Sequence, residues 1–441
     1  MTATALPATK ARSRTPLVGY LVAEAISLVG TRLSMIAIPW LVLVTTGSPA
    51  KTGLVAFAEL APLVAVKAGA GPLIDRVGAR RIAIGCDLAS VAVVGLIPLL
   101  HAMDSLTFGV LLVLVALGGA LRGPGDGAKS AFVPALTAHS GLPLERVTGL
   151  SSAIERSSTF FGAAAAGLLV ALVGPANALA LDAVSFGVCA AVFGLSTRGM
   201  PSEPVEDRPP GTSYLEELRG GWNYLRTDAV LVGLCVMVAT TNLLDLAFSA
   251  VLVPVWAHDN GMGVGAVGTL FSVFAAFSVV GALLAAWLGP RLRRFPTYVV
   301  AFLITGAPRF LVLAFGLPMS VVLVTAAVGG IASGFLNPIL GAVIYERIPK
   351  PLMGRVTSLN SALCWSLMPF GGILGGFLVE GFGLEAALLG IGLAYLAATM
   401  LPLFWRSFRE FDQRPVDAAS ARSADDLDSV RVGATPEPAR Q

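Results

Sequence analysis

Long apolar stretches separated by short polar breaks run along most of the chain. Runs of about 20 residues or more can cross a hydrocarbon layer of roughly 30 Å as helices. Twelve such spans are predicted, at 17–46, 53–74, 82–101, 107–127, 147–173, 176–197, 229–256, 264–289, 297–316, 319–344, 356–380 and 385–405. The runs are too long and too evenly apolar for transmembrane strands, which need short alternating segments. The first run lacks an early small-x-small cleavage site and continues without a break, so it reads as a retained helix and not a signal peptide.

The polar breaks divide these spans into two sets of six. The break at 198–228 is Pro-rich at first. Its second part, from Tyr214 to Arg226, has helical spacing of Tyr214, Leu218, Trp222 and Leu225 and is expected along the membrane surface. The expected organisation is an N-terminal tail (1–16), a six-helix bundle (17–197), this linker (198–228), a second six-helix bundle (229–405) and a disordered polar tail (406–441).

The two halves repeat one plan. RVTGLSSA at Arg146–Ala153 returns as RVTSLNSA at Arg355–Ala362, an offset of 209, and Gly167 then falls on Gly376. A second register, offset by 215, places Pro39 on Pro254, Gly53 on Gly268 and Arg76 on Arg291. Six spans separate equivalent points, so the repeats are parallel. That is the pattern of two helical bundles related by an axis along the membrane normal.

Composition agrees with a membrane protein. The 441 residues are 55% hydrophobic and 13% charged, with a mean hydropathy of +0.79, against roughly 25% charged in soluble proteins. Lys and Arg fall on one side. The segments that would be cytoplasmic hold Lys10, Arg12, Arg14, Arg76, Arg80, Arg81, Arg291, Arg293, Arg294, Arg347, Lys350 and Arg355 among others, whereas the opposite loops hold Lys51 alone. This places the chain in the cell (inner) membrane with both termini cytoplasmic. The net charge of +3 then reflects topological anchors and not nucleic-acid binding. The four cysteines lie in or at the ends of spans, so disulfides are not expected, and the three histidines lack metal-site spacing.

At Gly71 the chain reads GPLIDRVGARR between spans 2 and 3. This resembles the signature of the major facilitator superfamily, Gly-x-Leu-x-Asp-Arg-x-Gly-Arg-Arg/Lys, with Gly71, Leu73, Asp75, Arg76, Gly78 and Arg80 matching and Ala79 departing. The resemblance covers about 400 residues. TTGSP, AFVPAL, LDAVSF and ERIPKPLMGRVTSLNS are similar to the branch of siderophore exporters and macrolide or multidrug efflux proteins. It implies an all-α membrane protein of twelve helices in two pseudo-symmetric bundles. It also implies a cytoplasmic gate of Gly71, Asp75, Arg76, Gly78 and Arg80. Arg122 and Asp126, one turn apart on span 4, are expected to pair and join it. Family antiporters often carry Gly-Pro-x-x-Gly-Gly on span 5, where this chain has GAAAAG (Gly162 to Gly167). The equivalent MPFGGILGG supplies Gly371, Gly372, Gly375 and Gly376. These six glycines are candidate hinge or packing positions, with ordinary helix packing equally consistent with the sequence.

Ionisable residues inside spans are functional candidates by default. Asp245 on span 7 corresponds to Gly30 by the 215 offset, so it lies near the depth of Arg32 on span 1. Asp245 is expected to take up a coupling proton and to pair with Arg32 when ionised; a permanent structural pair, or two residues that never meet, are the alternatives. Glu24, two turns below Arg32, is the third coupling candidate, and an acid hydrated at the inner mouth would look the same. Asp182 reads as structural. Glu59, Lys67, Glu155, Arg156 and Arg309 receive no role. Trp40, Phe248, Trp256 and Trp365 are candidate walls of a substrate cavity, with core packing or interface anchoring the commoner role for each taken singly.

GPGDGAKS at 123–130 falls one glycine short of a phosphate-binding loop and ends a membrane helix, so nucleotide binding is not expected. No HExxH, GxSxG or CxxC occurs, and no enzyme activity, cofactor or metal is expected. The reading is a monomeric secondary transporter exchanging amphipathic or lipophilic, drug-like small molecules for protons across the lipid bilayer by alternating access. Its partners are that small molecule, protons and lipid. A dedicated exporter of one metabolite, such as a siderophore or self-made antibiotic, and a transport-dead receptor or scaffold are the alternatives.

Overall fold

The computed structural model describes residues 14–142, 144–200, 214–288, 291–348 and 353–400. The tail expected over 406–441, nearly all of the N-terminal tail and the Pro-rich part of the linker lie outside them.

The described chain is helical throughout. The first half comprises α1 (Thr15–Thr46), α2 (Pro49–Gly69), α3 (Gly71–Val77), α4 (Ala79–Ala102), α5 (Phe108–Ala131), α6 (Val133–Ser140), α7 (Leu144–Val173) and α8 (Pro175–Ser196). The linker carries α9 (Tyr214–Leu225). The second half runs α10 (Ala229–Ala247), a π turn (Phe248–Leu252), α11 (Val253–Asp259), α12 (Gly263–Leu288), α13 (Arg294–Thr305), α14 (Ala307–Ala314), α15 (Met319–Arg347), α16 (Met353–Ser366), α17 (Phe370–Phe382) and α18 (Leu384–Met400). Among the described residues, ten helical stretches are long and apolar enough to span a membrane, and two shorter apolar helices, Phe161–Val173 and Leu384–Met400, fall at predicted spans 5 and 12.

Local chemistry sets the ends. Ser48 accepts from the Lys51 amide ahead of Pro49, and Asp228 accepts from the Val230 and Leu231 amides at the start of α10; such caps satisfy donors the helix leaves open. The predicted second span ends earlier than expected. Gly69 closes α2, and GPLIDRV forms the separate α3, which stops where Gly78 adopts φ +95°, a conformation that glycine reaches without Cβ strain. Predicted spans 9 and 11 are each broken in two, at Gly306 before Pro308 and around Pro369, because proline removes a ladder donor and crowds the preceding turn.

The two bundles meet mainly on the side away from the basic connections. Ser48 Oγ and the Ala50 amide both donate to the Glu380 carboxylate, at 3.3 and 3.2 Å, joining the starts of α2 and the end of α17. A Cβ added at Gly167 would lie 2.7 Å from Gly268 Cα, so α7 and α12 cross almost backbone to backbone. On the basic side α3 packs against α2, α4 and α5 of its own bundle. The linker helix α9 docks on the second bundle, where the Tyr224 hydroxyl donates to Arg347 O and Arg347 pairs with Asp228 at 3.0 Å. Burial and the neighbouring Asp228 carboxylate raise the Tyr224 pKa.

Candidate functional site

A cavity of about 440 Å³ lies within the second bundle, walled by α10, the π turn, α12, α13, α14, α15 and α18. Its apolar wall includes Phe271, Phe274 and Phe302, and its polar groups include Thr241, Asn242, Ser278 and Asn337. The volume falls in the range of roughly 300–1,000 Å³ usual for small-molecule sites. The single ion pair in its lining is Asp245 with Arg309.

This pairing corrects the expected Asp245–Arg32 contact. Arg309 Nη2 donates to Asp245 Oδ1, while Arg32 is held in the first bundle, with Nη1 3.6 Å from Met35 Sδ. Helix depth placed Asp245 and Arg32 at one level but left open which way each faced, and α14 brings Arg309 to Asp245 from within the same bundle. The guanidinium of Arg309 also lies 4.8 Å from the ring of Phe248, 4.9 Å from Phe310 and 4.8 Å from Tyr395. Three π faces therefore hold the cation in addition to the carboxylate. The side chain of Asp245 is 41% exposed and that of Arg309 17%, so the acid is the member open to the cavity. One turn beyond Asp245 the helix widens into the π turn, and Ser249 Oγ donates back to Asp245 O at 2.9 Å. Single-turn π segments recur at functional sites; nothing in the sequence marked this one.

The other candidate residues are dispersed. Glu24 stays in the first bundle, where the Tyr20 hydroxyl donates to it at 3.4 Å, so Glu24, Arg32 and Asp245 do not form one cluster. Of the four proposed wall residues, Phe248 lines the cavity. Trp256 is instead 2% exposed in the core of its bundle, Trp40 packs edge to face on His258 at 6.2 Å, and Trp365 lies beneath Lys67 Nζ at 5.5 Å.

Arg122 is also placed differently from expectation. It pairs with Glu59 at 3.0 Å and donates to Thr31 Oγ1 at 2.7 Å, joining α5 to α2 and α1 inside the bundle and not to Asp126, which is exposed. Close approach explains the choice: a Cβ at Gly119 would lie 1.9 Å from Glu59 O, so the missing side chain lets α2 present Glu59 directly to Arg122. Arg80 donates to Thr197 Oγ1 at 2.9 Å and to Gly194 O at 2.7 Å, tying the start of α4 to the end of α8. Gly71 and Asp75 lie in α3, with the Asp75 side chain outside what is described, and Arg76 is exposed. Asp87 and Lys129 form a buried pair at 2.9 Å between α4 and α5, although neither was singled out from sequence. The signal was present: each is an ionisable residue within or just beyond an apolar run, with Lys129 inside the nucleotide-loop lookalike.

The glycines make close contacts. A Cβ at Gly162 would lie 3.0 Å from Arg32 Cγ. On α17, Gly371 and Gly375 face α10, with added Cβ atoms 2.0 Å from Leu243 O and 3.2 Å from Ala247 Cβ. Gly372 and Gly376 face α2 of the other bundle, at 2.6 Å from Gly53 O and 2.6 Å from Pro49 O. The helix is thus a small-residue wedge between the bundles.

Known proteins share this plan. The multidrug efflux pump Tap of Mycobacterium tuberculosis is 32% identical over 409 residues, covering 91% of this chain and 96% of its own. Macrolide efflux protein A of Streptococcus pyogenes is 24% identical over 370 residues, covering 82% and 89%. Among solved structures, the nucleoside transporter NupG superposes with a TM-score of 0.68 at 13% identity, covering 90% of this chain and 99% of that one. A bacterial homologue of the iron transporter ferroportin in an inward-facing state gives 0.65 at 17%, covering 90% and 99%. These last two establish the fold alone. The family description Major Facilitator Superfamily matches residues 20–249 and 237–436, and the chain belongs to that superfamily of membrane transporters, in its multidrug and macrolide efflux branch.

Proposed function

We propose that the protein exports amphipathic or lipophilic small molecules in exchange for protons by alternating access, as a monomer in the inner membrane with both termini cytoplasmic. Asp245 is the coupling carboxylate, with Arg309 as its counter-ion in place of Arg32. The observation that carries this reading is the cavity of about 440 Å³ whose one ion pair leaves its acid partly open. The similarity to a multidrug efflux pump and a macrolide efflux protein supports the substrate class.

The chemistry follows from the pair. Ionised Asp245 holds Arg309, and a proton on Asp245 removes that attraction while the three rings keep the guanidinium in place. The freed carboxyl can then reorganise with the π turn. A cationic or dipolar substrate competes with the proton for the same oxygen atoms. Such competition gives the two ligands different affinities for the two orientations, which is the condition for one to drive the other.

The test is proton movement in everted vesicles containing the full-length protein, with an acid interior and lipophilic cations, macrolides and siderophores added singly. A compound that dissipates the gradient with the unmodified protein but not with Asp245→Asn supports the reading. Uptake of labelled compound at an equal rate by both proteins, with no proton movement, rejects the coupling role of Asp245.

A further inference from the structure

The large cavity has a small counterpart in the first bundle, lined by Ser34, Glu59, Arg122 and Asp182 among apolar residues. Close helix contacts fix the correspondence. A Cβ at Gly119 meets Glu59 O at 1.9 Å, and one at Gly330 meets Phe274 O at 2.4 Å. One turn on, Gly123 meets Lys67 N at 3.0 Å and Gly334 meets Ala282 N at 2.3 Å. Spans 4 and 10 therefore align at 330 − 119 = 211, and spans 2 and 8 at 274 − 59 = 215. At the 215 offset Ser34 matches Ser249 and Ile97 matches Val312, and at the 209 offset of the RVTGLSSA repeat Phe186 matches Tyr395, all lining residues of the two cavities. Glu59 replaces Phe274 and Arg122 replaces Ser333. The intruding side chains leave about 20 Å³, room for about one water.

The two sites differ in charge balance. The large cavity has one carboxylate and one guanidinium. The small one has two carboxyl groups and one guanidinium, and Arg122 is already committed to Glu59 and Thr31. Asp182 is 2% exposed, and its partners are hydroxyls: Ser34 on Oδ2 and Ser185, at 3.1 Å, on Oδ1. From α1 it faces Ser34 and the backbone at Gly30, from α2 Glu59, from α5 Arg122, and from α4 the apolar Val94 and Ile97. Lys129 and Asp87 pair with each other closer to the basic side. Serine hydroxyls can donate or accept, so they suit either protonation state. A second buried anion with no cation of its own is strongly disfavoured and takes a proton instead.

We infer that Asp182 is a second proton-binding site, in the first bundle, and that it holds a proton in this conformation while Glu59 is the ionised partner of Arg122. The inference rests on the contents of the small cavity and not on the coupling role of Asp245. The test is infrared absorption of the full-length protein in lipid vesicles near neutral pH, which reads the carbonyl stretch of protonated carboxyl groups directly. The expected result is a band that shifts on deuteration, disappears in Asp182→Asn and persists in Asp245→Asn. In Glu59→Gln the site keeps one carboxyl for Arg122, Asp182 ionises, and the band again disappears. Absence of the band in the unmodified protein, or its survival in Asp182→Asn, overturns the inference. Should Asp182→Asn fail to fold, survival of the band in Glu59→Gln overturns it equally.

Discussion

Adding one methyl group at Gly53 should push the protein out of the conformation described here. A Cβ at that position would lie 2.0 Å from Gly372 O and 2.7 Å from Gly372 C, both backbone atoms of α17 in the opposite bundle. No rotamer change can relieve a contact with backbone, so α2 and α17 must separate by about an ångström in Gly53→Ala. Overpacking of this kind costs about 1–3 kcal/mol. If the two helices part when the far side opens, that cost falls on the closed arrangement alone. The equilibrium between the two then shifts by about 5- to 150-fold, since 1.4 kcal/mol is a factor of ten. Gly371→Ala is the matched control, because its Cβ would meet Leu243 O at 2.0 Å within its own bundle and so should destabilise both arrangements. The assay is the labelling rate of a cysteine placed at Ala56, buried at the same crossing against Gly372, in a background lacking the four native cysteines, using a membrane-impermeant maleimide. Gly53→Ala should speed labelling by roughly the population shift, up to ~150-fold from a mostly closed start, and Gly371→Ala should instead lower thermal stability with little change in labelling. Equal labelling rates with and without Gly53→Ala would refute the argument that this crossing opens and closes.

Three further outcomes follow from the ion pairs and the linker. Lys129→Met should lower stability by about 3–5 kcal/mol, the usual effect of stranding a buried charge, because Asp87 is 5% exposed beside it; thermal unfolding in detergent checks this, and adding Asp87→Leu should restore much of the loss. Arg309→Lys keeps the charge but not a planar cation able to lie against three rings, so substrate-driven proton movement in vesicles should fall by about tenfold or more, the equivalent of losing roughly 1–2 kcal/mol of cation–π contact. The raised Tyr224 pKa favours the neutral phenol in the folded state, so its contribution to docking α9 is present below the ordinary tyrosine pKa of about 10 and lost as pH rises through the higher folded value. Protease cleavage in the linker should therefore accelerate at strongly alkaline pH in the native protein, and Tyr224→Phe should be cleaved faster already at neutral pH without that alkaline step.

The architecture was legible because a bilayer restricts the solutions to a few. Apolar length gave the spans and Lys/Arg placement gave one basic side, while the offsets of 209 and 215 exposed the repeated halves. Charge partners were not legible. Arg122 had a local option in Asp126 four residues away, yet the close crossing at Gly119 delivers Glu59 from 63 positions distant. Asp245 could be flagged from its position within an apolar run, whereas Arg309 could not be preferred to Arg32, because sequence gives depth along a helix but not its rotation against neighbours. The π turn at Phe248–Leu252 has no composition that sets it apart from the surrounding helix. Asp87 and Lys129 were missed for a simpler reason: both sit near span ends, where a charge is easily read as solvated.

The repeat turns two substitutions into an explanation of why one bundle has a roomy cavity and the other does not. Phe274 and Ser333 leave the second bundle with an apolar wall and a small hydroxyl around Asp245. Glu59 and Arg122 at the equivalent positions reach across the first cavity, bond to each other at 3.0 Å and fill it. Filling a membrane cavity with a charge pair is costly unless each charge has a partner, and here the guanidinium also takes Thr31 while Gly119 lets α2 approach. The pair is therefore built in by three helices and not a chance contact. On this view the first bundle trades cavity volume for a packed polar core, against which the second bundle, with its open carboxylate, wide turn and broken helices, has the freedom to rearrange.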